Sequence, residues 1–95
     1  MDAKPYVHKI LKPDGTMVDC SPAGEYFTLE ELRAAMDGGW VENINLSGGF
    51  VMIIDEEGRL KDLPRNNLAT ELVGVPGVYI VGNALICLDK GEEIG

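Results

Sequence analysis

The chain has 95 residues, 45% of them hydrophobic and 25% charged, which are globular values that leave room for one domain and exclude a disordered tail, a collagen-like repeat or a disulfide scaffold. Lys and Arg number 8 against 16 Asp and Glu, for a formal net charge of -8. Binding to DNA, RNA or an anionic membrane needs clustered cations. Lys4, Lys9 and Lys12 are the only concentration of them and Asp2 and Asp14 dilute it, so neither direct nucleic-acid contact nor membrane attachment is expected.

Residues 1–26 read as an N-terminal hairpin. Tyr6 to Lys12 is apolar and β-branched enough for a strand, Pro13-Asp14-Gly15 is a turn signal, and Thr16 to Cys20 returns. Ser21-Pro22-Ala23-Gly24 breaks the pattern. A helix follows from Leu29 to Met36, with Thr28 as its N-cap and Glu31 positioned to complete a capping box. Leu29, Leu32 and Met36 recur at helical spacing, and Phe27 is placed to pack on Leu32. Gly38-Gly39 ends this helix.

Trp40 to Leu46 alternates as a half-buried strand, with Trp40, Ile44 and Leu46 on one face. Ser47-Gly48-Gly49 is a loop, and Phe50 to Ile54 is apolar throughout, as a strand covered on both faces would be. Asp55 to Gly58 turns the chain and Leu60 to Pro64 is irregular. A short helix is expected from Asn66 to Leu72, with Leu68 and Leu72 buried. Val78 to Val81 and Ala84 to Leu88 are strands joined at Gly82-Asn83, and the acidic segment 89–95 is expected to fray. The order β-β-α-β-β-α-β-β implies an α+β fold, a small and mostly antiparallel sheet with both helices against one face.

No residue pattern specifies a reaction. His8 is the single histidine and sits among lysines, so a Ser or Cys triad has no base. Cys20 and Cys87 form no CxxC pair, and they read as small hydrophobes in strands. Asp55, Glu56 and Glu57 lack the alternate spacing of a calcium loop and read as a solvated turn. No cofactor or metal is expected. Glu42 and Asp55 on adjacent strands would be the carboxylate pair of a hydrolase, the weakest of three functional readings.

Trp40 reads first as a core anchor, with a stacking platform or an interface as the alternative. Asn66 reads first as a helix cap; together with Arg65 and Asn67 it could instead meet an anion or a nucleobase edge. No apolar leader opens the chain, which reads as cytoplasmic in a reduced compartment. Self-association is expected from a thin core and an open sheet edge.

Three stretches carry a family resemblance. They are Gly38-Gly39-Trp40-Val41-Glu42; Asp55 to Leu60 with Leu63-Pro64-Arg65-Asn66 and Ala69-Thr70; and Ile80 to Ile86. Together they resemble a family of small domains of unknown function found in phages, prophages and plasmids of bacteria, over a core of residues 27–88. The resemblance implies a mobile-element accessory protein and no particular reaction. If its motifs mark a site, that site falls on Trp40, Glu42, Asp55, Asn66, Ala69, Thr70, Gly82 and Asn83. The leading reading is a non-enzymatic protein that binds a bacterial host protein with a basic surface, in host takeover or counter-defence, its negative field steering the encounter. The alternative is a binder of a nucleotide-like ligand at Arg65, Asn66, Asn67 and Trp40, with Thr70 and Asn83 close by.

Overall fold

A computed structural model describes residues 8–24 and 27–88 of the chain. Strands β1 (His8–Leu11) and β2 (Met17–Cys20) form the expected antiparallel hairpin, with Leu11 opposite Met17. The Lys12 N–H donates to the Thr16 carbonyl at 2.9 Å across the turn, and Gly15 takes φ +93° there. The expected strand residues Tyr6 and Val7, and the acidic segment 89–95, lie outside the described residues.

Helix α1 (Leu29–Ala35) begins as its capping signal predicts. Thr28 Oγ1 accepts from the Glu31 N–H at 3.1 Å, and Glu31 Oε1 accepts from the Thr28 N–H at 2.9 Å. The second oxygen of Glu31 accepts from the Ala23 N–H at 2.9 Å. Thr28 and Ala23 amides donating to one carboxylate hold it below the usual glutamate range. The apolar stripe is narrower than its spacing suggests, because Leu32 and Met36 are buried while Leu29 is exposed.

The remaining strands are β3 (Val41–Asn45), β4 (Phe50–Asp55), β5 (Arg65–Asn66), β6 (Ile80–Val81) and β7 (Ala84–Leu88), with helix α2 (Asn67–Val73) between β5 and β6. A 3-10 turn at Ser47–Gly49 joins β3 to β4. The main sheet has five strands in the order β2-β1-β7-β4-β3, every neighbouring pair antiparallel. Strands β5 and β6 form a separate two-stranded ladder, with Asn66 opposite Ile80. The order therefore differs from expectation by one strand. Pro64 keeps Leu63 out of the α region, and the chain stays extended for two more residues before Asn66 caps α2.

The helices lie on opposite faces of the sheet, correcting the expectation that both cover one. Val51 and Ile53 of β4 pack with Leu32, Met36, Leu85 and Cys87 beneath α1. Their neighbours Met52 and Ile54 point the other way, to Leu11, Ala69, Ile80 and Ala84 beneath α2 and β6. A strand apolar on both faces needs cover on both, since each large side chain left in water forfeits about 1.5–3 kcal/mol. In α2 the buried residue is Ala69, with Leu68 and Val73 leaning on the core; Leu72, expected inside, is exposed.

Cys20 and Cys87 form no disulfide, and β1 lies between their strands. Two interstrand spacings, about 9–10 Å, exceed what a disulfide can bridge. Burial, reinforced by the Asp19 carboxylate, pushes the Cys20 thiol up, and Lys9 only partly offsets this. A thiol reagent at neutral pH is expected to modify Cys20 several-fold more slowly than a free cysteine peptide, and the buried Cys87 only once denaturant is added. Rapid modification of both in the native protein would contradict this packing.

Candidate functional site

Three of the residues singled out in the sequence work for the fold. The Asn66 side chain is completely buried. Its Nδ2 donates to the carbonyls of Leu11 at 2.9 Å and Gly82 at 2.8 Å, while Oδ1 accepts from the Ala69 N–H at 3.0 Å. One amide thus caps α2 and joins the hairpin to the Gly82 turn. Thr70 Oγ1 accepts from the Ile80 N–H at 2.9 Å, holding α2 on β6. Asn83 Nδ2 donates to the Ala35 carbonyl at 3.0 Å, satisfying the open end of α1. Arg65 and Asn67, on either side of Asn66, are exposed, so the three consecutive residues do not present one polar surface.

Asp55 is buried as half of an ion pair. Its Oδ2 accepts from Lys61 Nζ at 2.8 Å, and its Oδ1 accepts from the Glu57 N–H at 2.8 Å. Gly39 lies against this pair: a Cβ there would stand 2.8 Å from Lys61 Nζ and closer still to the Asp55 carboxylate. Glu42 is exposed and opposes Ile54 in the ladder, while Asp55 opposes Val41. Side chains alternate along strands, so Glu42 faces the α2 side and Asp55 the α1 side. The two carboxylates therefore project to opposite faces of the sheet. Among the described residues no group of three His, Cys, Asp or Glu is placed to hold a metal ion.

Trp40 is not a core anchor; it is 53% exposed, because β3 begins one residue after it, at Val41. The Arg33 guanidinium lies over its ring at 4.0 Å and is itself fixed by bonds from Nε to the Gly39 carbonyl and from Nη2 to the Gly38 carbonyl. This cation–π contact holds an exposed indole in one orientation beside the open edge of β3.

On the α2 side of the sheet, between the end of β4 and β6, lies a cleft of about 300 Å³. It is lined by the apolar Ile44, Ile54 and Ile80 together with Glu42, Glu56, Arg59 and Tyr79. Leu60, also in the lining, is 86% exposed. Arg59 lies over the Tyr79 ring at 4.2 Å and donates from Nη2 to the Tyr79 carbonyl at 2.8 Å. Arg65 approaches the same ring at 5.2 Å. Of the residues singled out in the sequence, Glu42 lines this cleft, Asp55 borders it with its carboxylate turned to the α1 side, and Arg65 lies outside the lining but reaches the Tyr79 ring; Arg59, Leu60 and Tyr79 were missed. No local spacing joins Arg59 to Tyr79, and the usable signal was the scarcity of cations in an acidic chain.

Among family models, the chain matches the one described as domain of unknown function (DUF3846) over residues 3–95, and it belongs to that family. The match takes in the N-terminal hairpin as well as the core from Phe27 onward. Comparison with curated proteins and with solved structures finds no match. Among the described residues no helix is long and apolar enough to cross a membrane.

Proposed function

We propose that the domain acts by binding, without catalysis, and that its target is a bacterial protein with a basic surface, met when a phage or plasmid carries the gene. The observation that carries this reading is Trp40, exposed and locked beneath Arg33 at the start of an edge strand. Trp and Arg are the residues most enriched at interface hot spots, and a fixed side chain loses little entropy on contact. Strand β3 is last in the sheet order, so its outer backbone groups are open to a partner strand. The exposed Glu42 beside it and a net charge of -8 favour a cationic partner.

The carboxylates and amides that a hydrolase would need are committed elsewhere. Asp55 is paired with Lys61, Asn66 is internal, and Glu42 faces away from Asp55. Affinity capture from a bacterial lysate is expected to retain a specific basic protein on the wild-type chain. Retention should fall at least about tenfold with Trp40→Ala, and sharply in high salt. Equal capture by both chains would overturn the reading. So would a change of sedimentation in the purified Trp40→Ala chain, which would make the partner a second copy.

A further inference from the structure

We infer that the cleft between β4 and β6 is a binding site for a nucleoside phosphate, with the phosphate at Arg59 and the base against the isoleucines and glutamates that share the lining. The inference starts from an imbalance of charge. The chain has twice as many acidic as basic side chains, yet among the described residues neither Arg59 nor Arg65 is ion-paired to a carboxylate. The two converge on one ring, at 4.2 and 5.2 Å from the Tyr79 centroid. Arg59 is anchored by a single bond to the Tyr79 carbonyl, which leaves its other N–H donors for a ligand. A planar guanidinium held in place and left without a counter-charge is what a phosphate binds in bidentate fashion. Tyr79 fixes Arg59 without neutralising it, and Arg65 adds a second positive charge at the same ring.

The rest of the lining has other chemistry. Glu42 and Glu56 are exposed acceptors that share the cleft with the apolar Ile44, Ile54 and Ile80. A molecule matching the whole cleft has an anionic group, a flat apolar face and N–H donors. A nucleoside phosphate has all three, the last two on its base, and about 300 Å³ is enough for a mononucleotide, at the lower end of ligand-site volumes. A free phosphate would use only the arginine, and a free nucleoside only the isoleucines and the glutamates. The site differs from the Arg65-Asn66-Asn67 cluster expected from the sequence, because Asn66 is internal and Arg59 is the cation in the lining of the cleft.

The inference does not depend on the Trp40 surface, and its test is separate. Thermal denaturation and calorimetric titration would be run with the guanosine, adenosine and uridine monophosphates, and with inorganic phosphate and guanosine as the two part-ligands. At least one monophosphate is expected to raise the melting temperature measurably at millimolar concentration, more than either part-ligand does. Arg59→Gln with Arg65→Gln should weaken its binding at least about tenfold. Arg59→Lys, which keeps the charge but loses the fork, should weaken it less. Glu42→Gln should alter the ranking of the three bases while leaving affinity for inorganic phosphate unchanged. If no monophosphate shifts the transition, if inorganic phosphate does so equally well, or if the arginine variants bind as the wild type does, the inference is wrong. All these side chains are exposed and are expected to leave the folded structure intact, which the circular dichroism of each variant checks.

Discussion

Asn66→Ala is expected to destabilise the domain by about 3–5 kcal/mol, the largest effect of any substitution of one polar side chain here. Three bonds are lost together. The carbonyls of Leu11 and Gly82 each lose a donor, and the Ala69 N–H loses its acceptor. The side chain has no exposed surface, so water cannot replace those partners without entering the core. An orphaned buried polar group costs about 1–3 kcal/mol, and the lost N-cap adds about 1 kcal/mol. A domain of this size has about 5–14 kcal/mol to lose, so the variant is left marginal. Its melting temperature should fall by about 15 °C or more. Asn66→Asp sharpens the test. It keeps the acceptor for Ala69 but turns a carboxylate toward two carbonyls, so it should be at least as damaging as alanine at neutral pH. Burial raises the pKa of the introduced carboxyl; its neutral form, which can donate one bond, is regained as pH falls, so the deficit relative to wild type should narrow under mild acid. A melting temperature for Asn66→Ala within about 4 °C of wild type would show that the amide is not the clasp described.

The parts of this architecture that a reader of the sequence can find are those whose causes are local. The Thr28–Glu31 capping box, the Pro13-Asp14-Gly15 turn and the unbroken apolar run of β4 each fall within a few residues, and each forms where expected. The role of Asn66 is not of this kind. Its acceptors at Leu11 and Gly82 are 55 and 16 residues away, so only its cap of α2 was visible in advance. Trp40 misleads for a different reason. Alternation places it in phase with Ile44 and Leu46, but the strand begins after it, and phase has no meaning outside a strand. The position of α2 could have been reached, because a strand apolar on both faces demands two covers. What was missing was the two-residue strand at Arg65–Asn66, which carries the chain across and is too short to leave a periodic signal. The cleft was hidden because Arg59 and Tyr79 meet only through the fold.

Gly39→Ala should cost about 2–4 kcal/mol, while Gly38→Ala next to it should cost about 1 kcal/mol. The neighbours are glycine for different reasons. Gly38 has φ +88°, and a Cβ there would meet nothing within 4 Å, so a side chain brings backbone strain alone. Gly39 has no such φ; its Cβ would run into the carboxylate of Asp55 and the Nζ of Lys61. Lys61 is partly exposed and can swing away, but Asp55 is buried and held by the Glu57 N–H. Relief of the clash therefore moves the carboxylate and strains both of its bonds, and a buried charge parted from its partner is expensive. The mechanism makes a claim about coupling that a simple packing defect would not. Asp55→Ala removes the obstructing atoms, so the double variant with Gly39→Ala should be less destabilised than the two single losses added together, by about 1 kcal/mol or more. Gly38→Ala combined with Asp55→Ala should be additive. Strict additivity in both cycles would show that the pair and the glycine do not touch. Non-additivity confined to Gly39 would tie the Gly-Gly-Trp segment to the acidic turn through a direct contact between them.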